Sequence, residues 1–161
     1  MTTIRQAQPS DDDAIWAILQ PIFRAGDTYT IPSDISRDDA VRFWTKGNHT
    51  AFAYEDTAQI LGTYYVCPNQ QGGGAHVCNC GFATSPAARG KGIARKMLEH
   101  ALDEARSQGY RAMQFNFVVS TNTGALKIWE SYGFEEVGRL PGAFHHPQEG
   151  YVDAYVLYKT L

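Results

Sequence analysis

The segment Phe82 to Leu98, FATSPAARGKGIARKML, holds the residues best suited to chemistry. Gly90 and Gly92 stand where a strand-like run gives way to a helical one. The first turn of a helix presents N–H groups without intrahelical partners and a partial positive charge. Glycines in front of it let a phosphate approach the backbone with no Cβ in the way. Arg89, Lys91, Arg95 and Lys96 crowd the same stretch, although the whole chain carries a formal charge of −3. This local reversal of sign points to a polyanionic small ligand. Two other phosphate loops do not fit. A Walker A loop closes with Gly-Lys-Ser/Thr, whereas Gly92 is followed by Ile93 and Ala94. A Rossmann fingerprint puts a third small residue where this chain has Arg95.

The elements that must position this loop follow from periodicity and turn signals. Residues 2–8 read as a short first strand, ended by Pro9 and Ser10. Asp11, Asp12 and Asp13 then give a helix N-terminus its negative charge. Ile15, Trp16, Ile18, Leu19, Ile22 and Phe23 recur at helical spacing, so a first helix covers 12–25. A polar loop spans 26–35, and Ser36 opens a second helix that runs to Thr45. Strands follow at 50–55, 59–67 and 75–83, with Pro68 to Gly74 as a flexible turn between the last two. Beyond Gly92, Ile93, Met97, Ala101, Leu102 and Ala105 define one helical face, and Gly109 stops the helix. A strand at 111–119 and a fourth helix at 122–132 come next. A strand at 134–140, a Pro/Gly/His loop at 141–150 and a last strand at 151–158 complete the chain. This order predicts one mixed α/β domain over 1–161, with a largely antiparallel first half.

Composition narrows the function classes. A chain of 161 residues buries a core of its own without disulfide or metal. With 43% hydrophobic and 19% charged residues, disorder is excluded as the default state. Lys plus Arg number 14 against 17 Asp plus Glu, which argues against a general nucleic-acid binder. No apolar run reaches the ~18 residues of a membrane span, and the start MTTIRQAQPSDDDAIW lacks the pattern of a signal peptide. Three cysteines suit reduced thiols and a cytoplasmic location.

Other residues invite weaker readings. His76, Cys78 and Cys80 alternate on one strand and so share a face, with Cys67 across the turn. Cys-x-Cys on a flat strand is not a zinc-finger spacing, so we expect no metal there. Asn48-His49-Thr50 is a glycosylation sequon, idle in a cytoplasmic protein. His145 and His146 have the intrinsic acidity of a general base, and equally the composition of a solvated loop. Asp153 interrupts an apolar strand, as a substrate's ammonium partner or as half of a structural pair.

Two stretches together resemble the GNAT superfamily of N-acetyltransferases. Arg89-Gly90-Lys91-Gly92-Ile93-Ala94 matches its Arg/Gln-x-x-Gly-x-Gly/Ala signature. Asn122, Ala125-Leu126-Lys127-Ile128-Trp129 and Tyr132-Gly133-Phe134 look like its Asn-x-x-Ala-x-x-Leu-Tyr-x-x-x-Gly-Phe block. One helix and one strand separate the two, as in that family. The resemblance implies a GNAT-type fold, with a mostly antiparallel sheet of about seven strands and four flanking helices. It implies acetyl-CoA as co-substrate. Phe82, Ala83 and Thr84 would lie along the pantetheine, and the amides from Gly90 through Lys91, Gly92 and Ile93 to Ala94 would take the pyrophosphate. Asn122 would reach the pantetheine, and the strands at 75–83 and 111–119 would splay to leave a wedge for the thioester. Backbone N–H groups there could hold the oxyanion of acyl transfer.

The acid and base are less determined. Where many members carry a Tyr acid for the CoA thiolate, this chain has Trp129. An indole N–H is a donor with no useful acidity near neutrality. The thiolate could leave unassisted, Tyr132 could substitute, or Trp129 simply packs on the pantetheine. The family's strand carboxylate is also missing. Asn79 stands near its position and can orient a water; Asn116 on the neighbouring strand could do likewise, and Asp27, Asp153, His145 and His146 are the other candidates. The acceptor pocket should lie between loop 26–35, with Asp27, Tyr29 and Thr30, and the 141–153 region, and suit a small cationic amine. The Ala-Leu-Lys-Ile-Trp-Glu variant resembles bacterial and fungal members acting on amino acids and their analogues. A peptide or protein amine is a second substrate class, and a non-catalytic acyl-CoA sensor the rival function. A homodimer is an option that the family carries.

Overall fold

The first two helices of this chain start on acids, and the second adds a side-chain cap. Asp12 and Asp13 occupy the first turn of α1 (Asp12–Ala25), and Gly26 ends it in a left-handed conformation. The Ser36 side chain accepts the Asp39 N–H at the start of α2 (Arg37–Thr45). The computed structural model describes residues 1–161. Its other elements are β1 (Thr2–Gln6), β2 (Thr50–Asp56), β3 (Gln59–Pro68), β4 (Val77–Thr84), α3 (Ile93–Ser107), β5 (Ala112–Val119), α4 (Thr123–Ser131), β6 (Glu135–His146) and β7 (Gly150–Thr160).

The strands form one seven-stranded sheet in the order β1-β2-β3-β4-β5-β7-β6. Every neighbouring pair is antiparallel except β4 and β5. That parallel pairing is short, with Val77 opposite Ala112 and Cys78 opposite Met113, and no partner beyond. The two strands then diverge, and the gap they leave is the centre of the molecule's main cavity.

Each face of the sheet is covered. On one, Tyr64, Cys78, Cys80, Met113, Phe115 and Leu157 pack with Met97, Leu98 and Ala101 of α3 and Trp129 of α4. On the other, Ile15, Leu19 and Phe23 of α1 and Trp44 of α2 pack on Ala51, Tyr65, Cys67 and Ala83. Cys67 therefore lies on the opposite face from Cys78 and Cys80, because its cross-strand partner is Asn79. The Trp44 indole donates to Thr63 Oγ1 at 3.0 Å, and Thr63 donates to the Phe52 carbonyl at 2.8 Å. This buried chain ties α2 to the sheet with every polar group satisfied.

One expectation is corrected. Residues 141–146 are strand rather than loop, because β6 continues to His146, and only 147–149 turn. The ladder with β7 shifts register between Leu140 and Phe144 and then resumes, with His145 opposite Tyr151 and His146 opposite Gly150. Pro141 and Gly142 sit in this bulge, where a Pro and a positive-φ Gly are tolerated on an edge strand. Gly142 has φ 58°, and its N–H donates to Asp153 Oδ1 at 2.9 Å.

Gly62 sets how closely α3 approaches the sheet. A Cβ there would stand 2.9 Å from Ile93 Cγ2 and 3.0 Å from Met97 Sδ. Gly62→Val should destabilise the fold by about 1–3 kcal/mol through overpacking, read as a lower midpoint in urea. A second anchor is Asp11, 6% exposed. Its carboxylate accepts from Arg5 Nη1 at 2.8 Å, Arg5 Nη2 at 3.0 Å and the Gln8 N–H at 2.7 Å. The Arg5 guanidinium holds its pKa below the usual carboxylate value. A depressed folded-state pKa means stabilisation present above the unfolded pKa of ~3.9 and lost as pH falls through the folded value. Asp11→Asn should cost roughly 1–3 kcal/mol at pH 7, and the gap to wild type should close on acidification. Urea titrations of both proteins at neutral and acid pH check this.

Candidate acyl-transfer site

The parting of β4 from β5 leaves backbone groups without partners. The Asn69 N–H donates to the Val77 carbonyl, and the Ser85 N–H to the Leu61 carbonyl. With the β3–β4 register, these bonds turn the N–H and C=O of residues 77, 79, 81 and 83 toward β3. Those of Cys80, Phe82 and Thr84 face the gap. Asn79 stands one residue past the last β4–β5 pair, and its Nδ2 donates to the Gln114 carbonyl at 2.9 Å. A side chain thus bridges the strands where the ladder stops. The Asn116 amide nitrogen is also engaged, on Asn69 Oδ1 at 2.7 Å, and its oxygen accepts from Gln114 Nε2 at 2.9 Å.

The helix after the gap is built differently from α1 and α2. Gly92 is its N-cap, with no side-chain cap and no acid in the first turn. Lys96 N–H to the Gly92 carbonyl, at 3.2 Å, is the first intrahelical bond, so the preceding N–H groups have no helical acceptor. Gly90 and Gly92 hold φ 80° and 73°, and a Cβ at either would meet no protein atom within 4 Å. The space before these amides is open, and the positive helix end is balanced by nothing in the chain. Ile93 contributes its backbone alone, since its side chain is buried against Gly62. α4 is similar: Asn122 is its N-cap, and the Asn122 side chain makes no cap bond.

A cavity of about 1180 Å³ runs through the gap. On the α3/α4 side it meets Arg89, Gly90, Ala94, Asn122, Ala125, Ile128 and Trp129. Phe82, Ala83 and Thr84 form its β4 wall. On the α1/α2 side it is lined by Asp27, Tyr29, Thr30, Phe43, Tyr65, Asn79 and Asn116, with His146 and Glu149 closing from the β6–β7 turn. The Tyr29 hydroxyl donates to the Phe82 carbonyl, tying loop 26–35 to β4. Burial raises its pKa, so it stays a neutral donor. Lys91 instead faces a second, smaller hollow of about 540 Å³ beside Arg5 and Asp11.

Three expected participants lie elsewhere. The Tyr132 hydroxyl donates to Glu99 Oε1 at 2.6 Å, away from the cavity lining. That bond also raises its pKa, which suits an acid poorly. Asp153 accepts from Arg139 Nε at 2.8 Å and from the Gly142 N–H, so it is the structural pair that pins the β6 bulge. The exposed His145 ring stacks on Tyr151 at 4.5 Å, because strand alternation turns it away from the cavity. Its neighbour His146 does face the cavity, with Nδ1 accepting the N–H groups of Gln148 at 3.1 Å and Glu149 at 3.2 Å.

Sequence reasoning passed over Tyr65, Phe43 and Glu149. Tyr65 had a signal, since it pairs with Gly81, and a glycine inside a strand marks a close approach. A Cβ on Gly81 would fall 2.3 Å from Tyr65 Cε2.

Trp129 is buried among Phe82, Phe115 and Phe134, with ring centroids at 5.2, 4.9 and 6.4 Å. It walls the cavity and brings no acid to it. The gap, the uncapped helix end and the two-sided cavity suit a long anionic thioester on one side and a nucleophile on the other.

Comparison with known proteins agrees with this geometry. The model of the acetyltransferase (GNAT) family matches residues 13–134. The chain is 35% identical to N-acetyltransferase aca1 of Schizosaccharomyces pombe, over 81% of its own length and 71% of that protein's. A GCN5-related N-acetyltransferase from Kribbella flavida has the same structure with TM-score 0.94 and 36% identity, over 99% of this chain and 98% of that one. The structure of yncA from Salmonella typhimurium, solved with acetyl-CoA, shares the fold at TM-score 0.86 and 21% identity, over 99% and 94% of the two chains. The chain belongs to the GNAT acetyltransferase family and is an acyltransferase.

Proposed function

We propose that this protein transfers an acetyl group from acetyl-CoA to the amine of a small molecule by direct attack. The observation that carries the reading is the uncapped start of α3, with Gly90 and Gly92 open in front of it, at one end of the β4–β5 gap. Acetyl-CoA, when bound, supplies the acetyl thioester. The amides from Gly90 to Ala94 bind its pyrophosphate, and Arg89 adds charge. The gap-facing N–H and C=O groups of β4 pair with the pantetheine amides, and Asn122 offers its free side-chain amide. The Phe82 N–H is placed to take negative charge on an acyl oxygen.

The acceptor enters from the α1/α2 side. Asp27 and Glu149 make that lobe acidic, and Tyr29, Phe43 and Tyr65 make it aromatic. This composition favours a cationic amine with a modest apolar body, and an amino acid or its analogue is the narrower candidate. The amine nitrogen bonds to the acyl carbon, the carbon–sulfur bond breaks, and the proton shed by nitrogen balances the thiolate as thiol. Asn79 Oδ1 is free to orient a water beside the amine. Trp129 offers no acid, so the thiolate leaves on its own acidity; a free thiol has a pKa of ~8.5. Alignment across the gap supplies the rate.

The test is thiol release from acetyl-CoA against amino acids, polyamines and short peptides. Turnover with one small-amine class is expected; exclusive turnover of peptides would move the acceptor to a protein N-terminus. CoA bound tightly with no thiol released by any amine would mark a sensor. Gly92→Trp should raise the Kd for CoA by more than about 10-fold, the worth of one charge-assisted hydrogen bond. Calorimetric titration with CoA checks this, and unchanged affinity would remove the pyrophosphate from the α3 loop.

A further inference from the structure

One polar group in the cavity has no role so far. Tyr65 is 7% exposed, and burial and nearby thiols, with no protein hydrogen bond, act on its hydroxyl. It lines the main cavity from the acceptor side. Its hydroxyl is not sealed in the core but opens on the cavity, where water or a ligand can satisfy it.

The ring is fixed from several directions. His49 stacks face to face on it at 4.0 Å, and the Trp44 and Phe43 rings meet it edge-on at 4.8 and 6.0 Å. The His49 Nδ1 atom is itself buried without a partner, so that ring contributes its flat face. Gly81 completes the arrangement. The Tyr65 Cζ and Oη atoms stand 2.8 and 3.0 Å from where a Gly81 Cβ would be. The hydroxyl therefore rests on β4 between Cys80 and Phe82, whose N–H groups face the gap.

We propose that Tyr65 Oη is an acceptor-binding group of this enzyme, taking a hydrogen bond from the N–H of the incoming amine and aiming its lone pair across the gap. The ligand's identity rests on the acetyl-transfer reading; the placement of the hydroxyl does not. Burial raises the phenol's pKa, so the hydroxyl stays neutral and orients the amine without taking its proton. Its clamped ring has little rotamer freedom left to lose on binding.

Tyr65→Phe removes the hydroxyl and keeps the stack. It should lower kcat/KM for the amines that wild type acetylates by about 10-fold or more, and leave the Kd for acetyl-CoA and the melting temperature unchanged. A second readout needs no turnover. In protein carrying ¹³C-labelled tyrosine rings and saturated with CoA, the resonance lost in Tyr65→Phe belongs to Tyr65. Titration with propylamine and with each panel amine should move that resonance. Unchanged kcat/KM in Tyr65→Phe, or a Tyr65 resonance unmoved by an amine the enzyme acetylates, overturns the assignment. If no amine is acetylated, the transfer reading fails; a Tyr65 resonance that still follows the amines upholds the binding role, and one that follows none overturns it too.

Discussion

The interaction on which this structure turns is a ladder that stops. β4 and β5 share two residue pairs and then separate. A parallel pairing in the middle of a sheet would ordinarily run the length of its strands, because each unpaired backbone group left buried costs free energy. Here the loss is shared out. Asn79 caps the fork by reaching the Gln114 carbonyl, Tyr29 takes the Phe82 carbonyl, and the cavity leaves the remaining groups open to solvent or ligand. Helices on both faces hold the two halves of the sheet in place, so the gap is kept by packing on either side.

The same economy appears in the electrostatics. α1 and α2 begin with acids, and α2 adds a serine cap. α3 has neither, and cations surround its start. An uncapped, positively flanked helix end is unfavourable in isolation. An anion would complete it, and on the proposed reading local stability is traded for binding at that terminus. Gly62 extends the logic into the core. By letting Ile93 sit against β3, it seats the first turn of α3 beside the gap, which puts that open helix end and the fork on one frame.

Much of this was legible in the sequence, for reasons that differ by residue. The open, glycine-flanked start of α3 was readable because glycine spacing reports backbone geometry directly. The helices were readable because their caps and apolar faces are local. The 141–150 segment was not, because Pro141 and Gly142 look like loop residues until a long-range partner, Asp153, turns them into a bulge. Tyr132, Asp153 and His145 lie apart from the cavity lining for a related reason. A titratable residue's role depends on which partner the fold brings to it, and Glu99, Arg139 and Tyr151 are distant in sequence or on another strand. Tyr65 was missed although its glycine partner was in plain view, since the cross-strand register that joins them is a tertiary fact.

Those displacements bear on how the site works. Once Tyr132, Asp153 and His145 are removed from the cavity, its remaining carboxylates are Asp27 and Glu149. The Nδ1 of His146 is occupied by the N–H groups of Gln148 and Glu149. The position of the usual tyrosine acid is filled by an indole packed among phenyl rings. Such a site is rich in orienting groups and poor in proton carriers. Thioester aminolysis tolerates this, because the leaving thiol is acidic enough to depart unaided and the barrier left is mainly one of alignment. On the proposed reading, the fixed ring of Tyr65, the amide of Asn79 and the tether from Tyr29 share one task, which is to hold two reactants in line across a gap that the sheet leaves open.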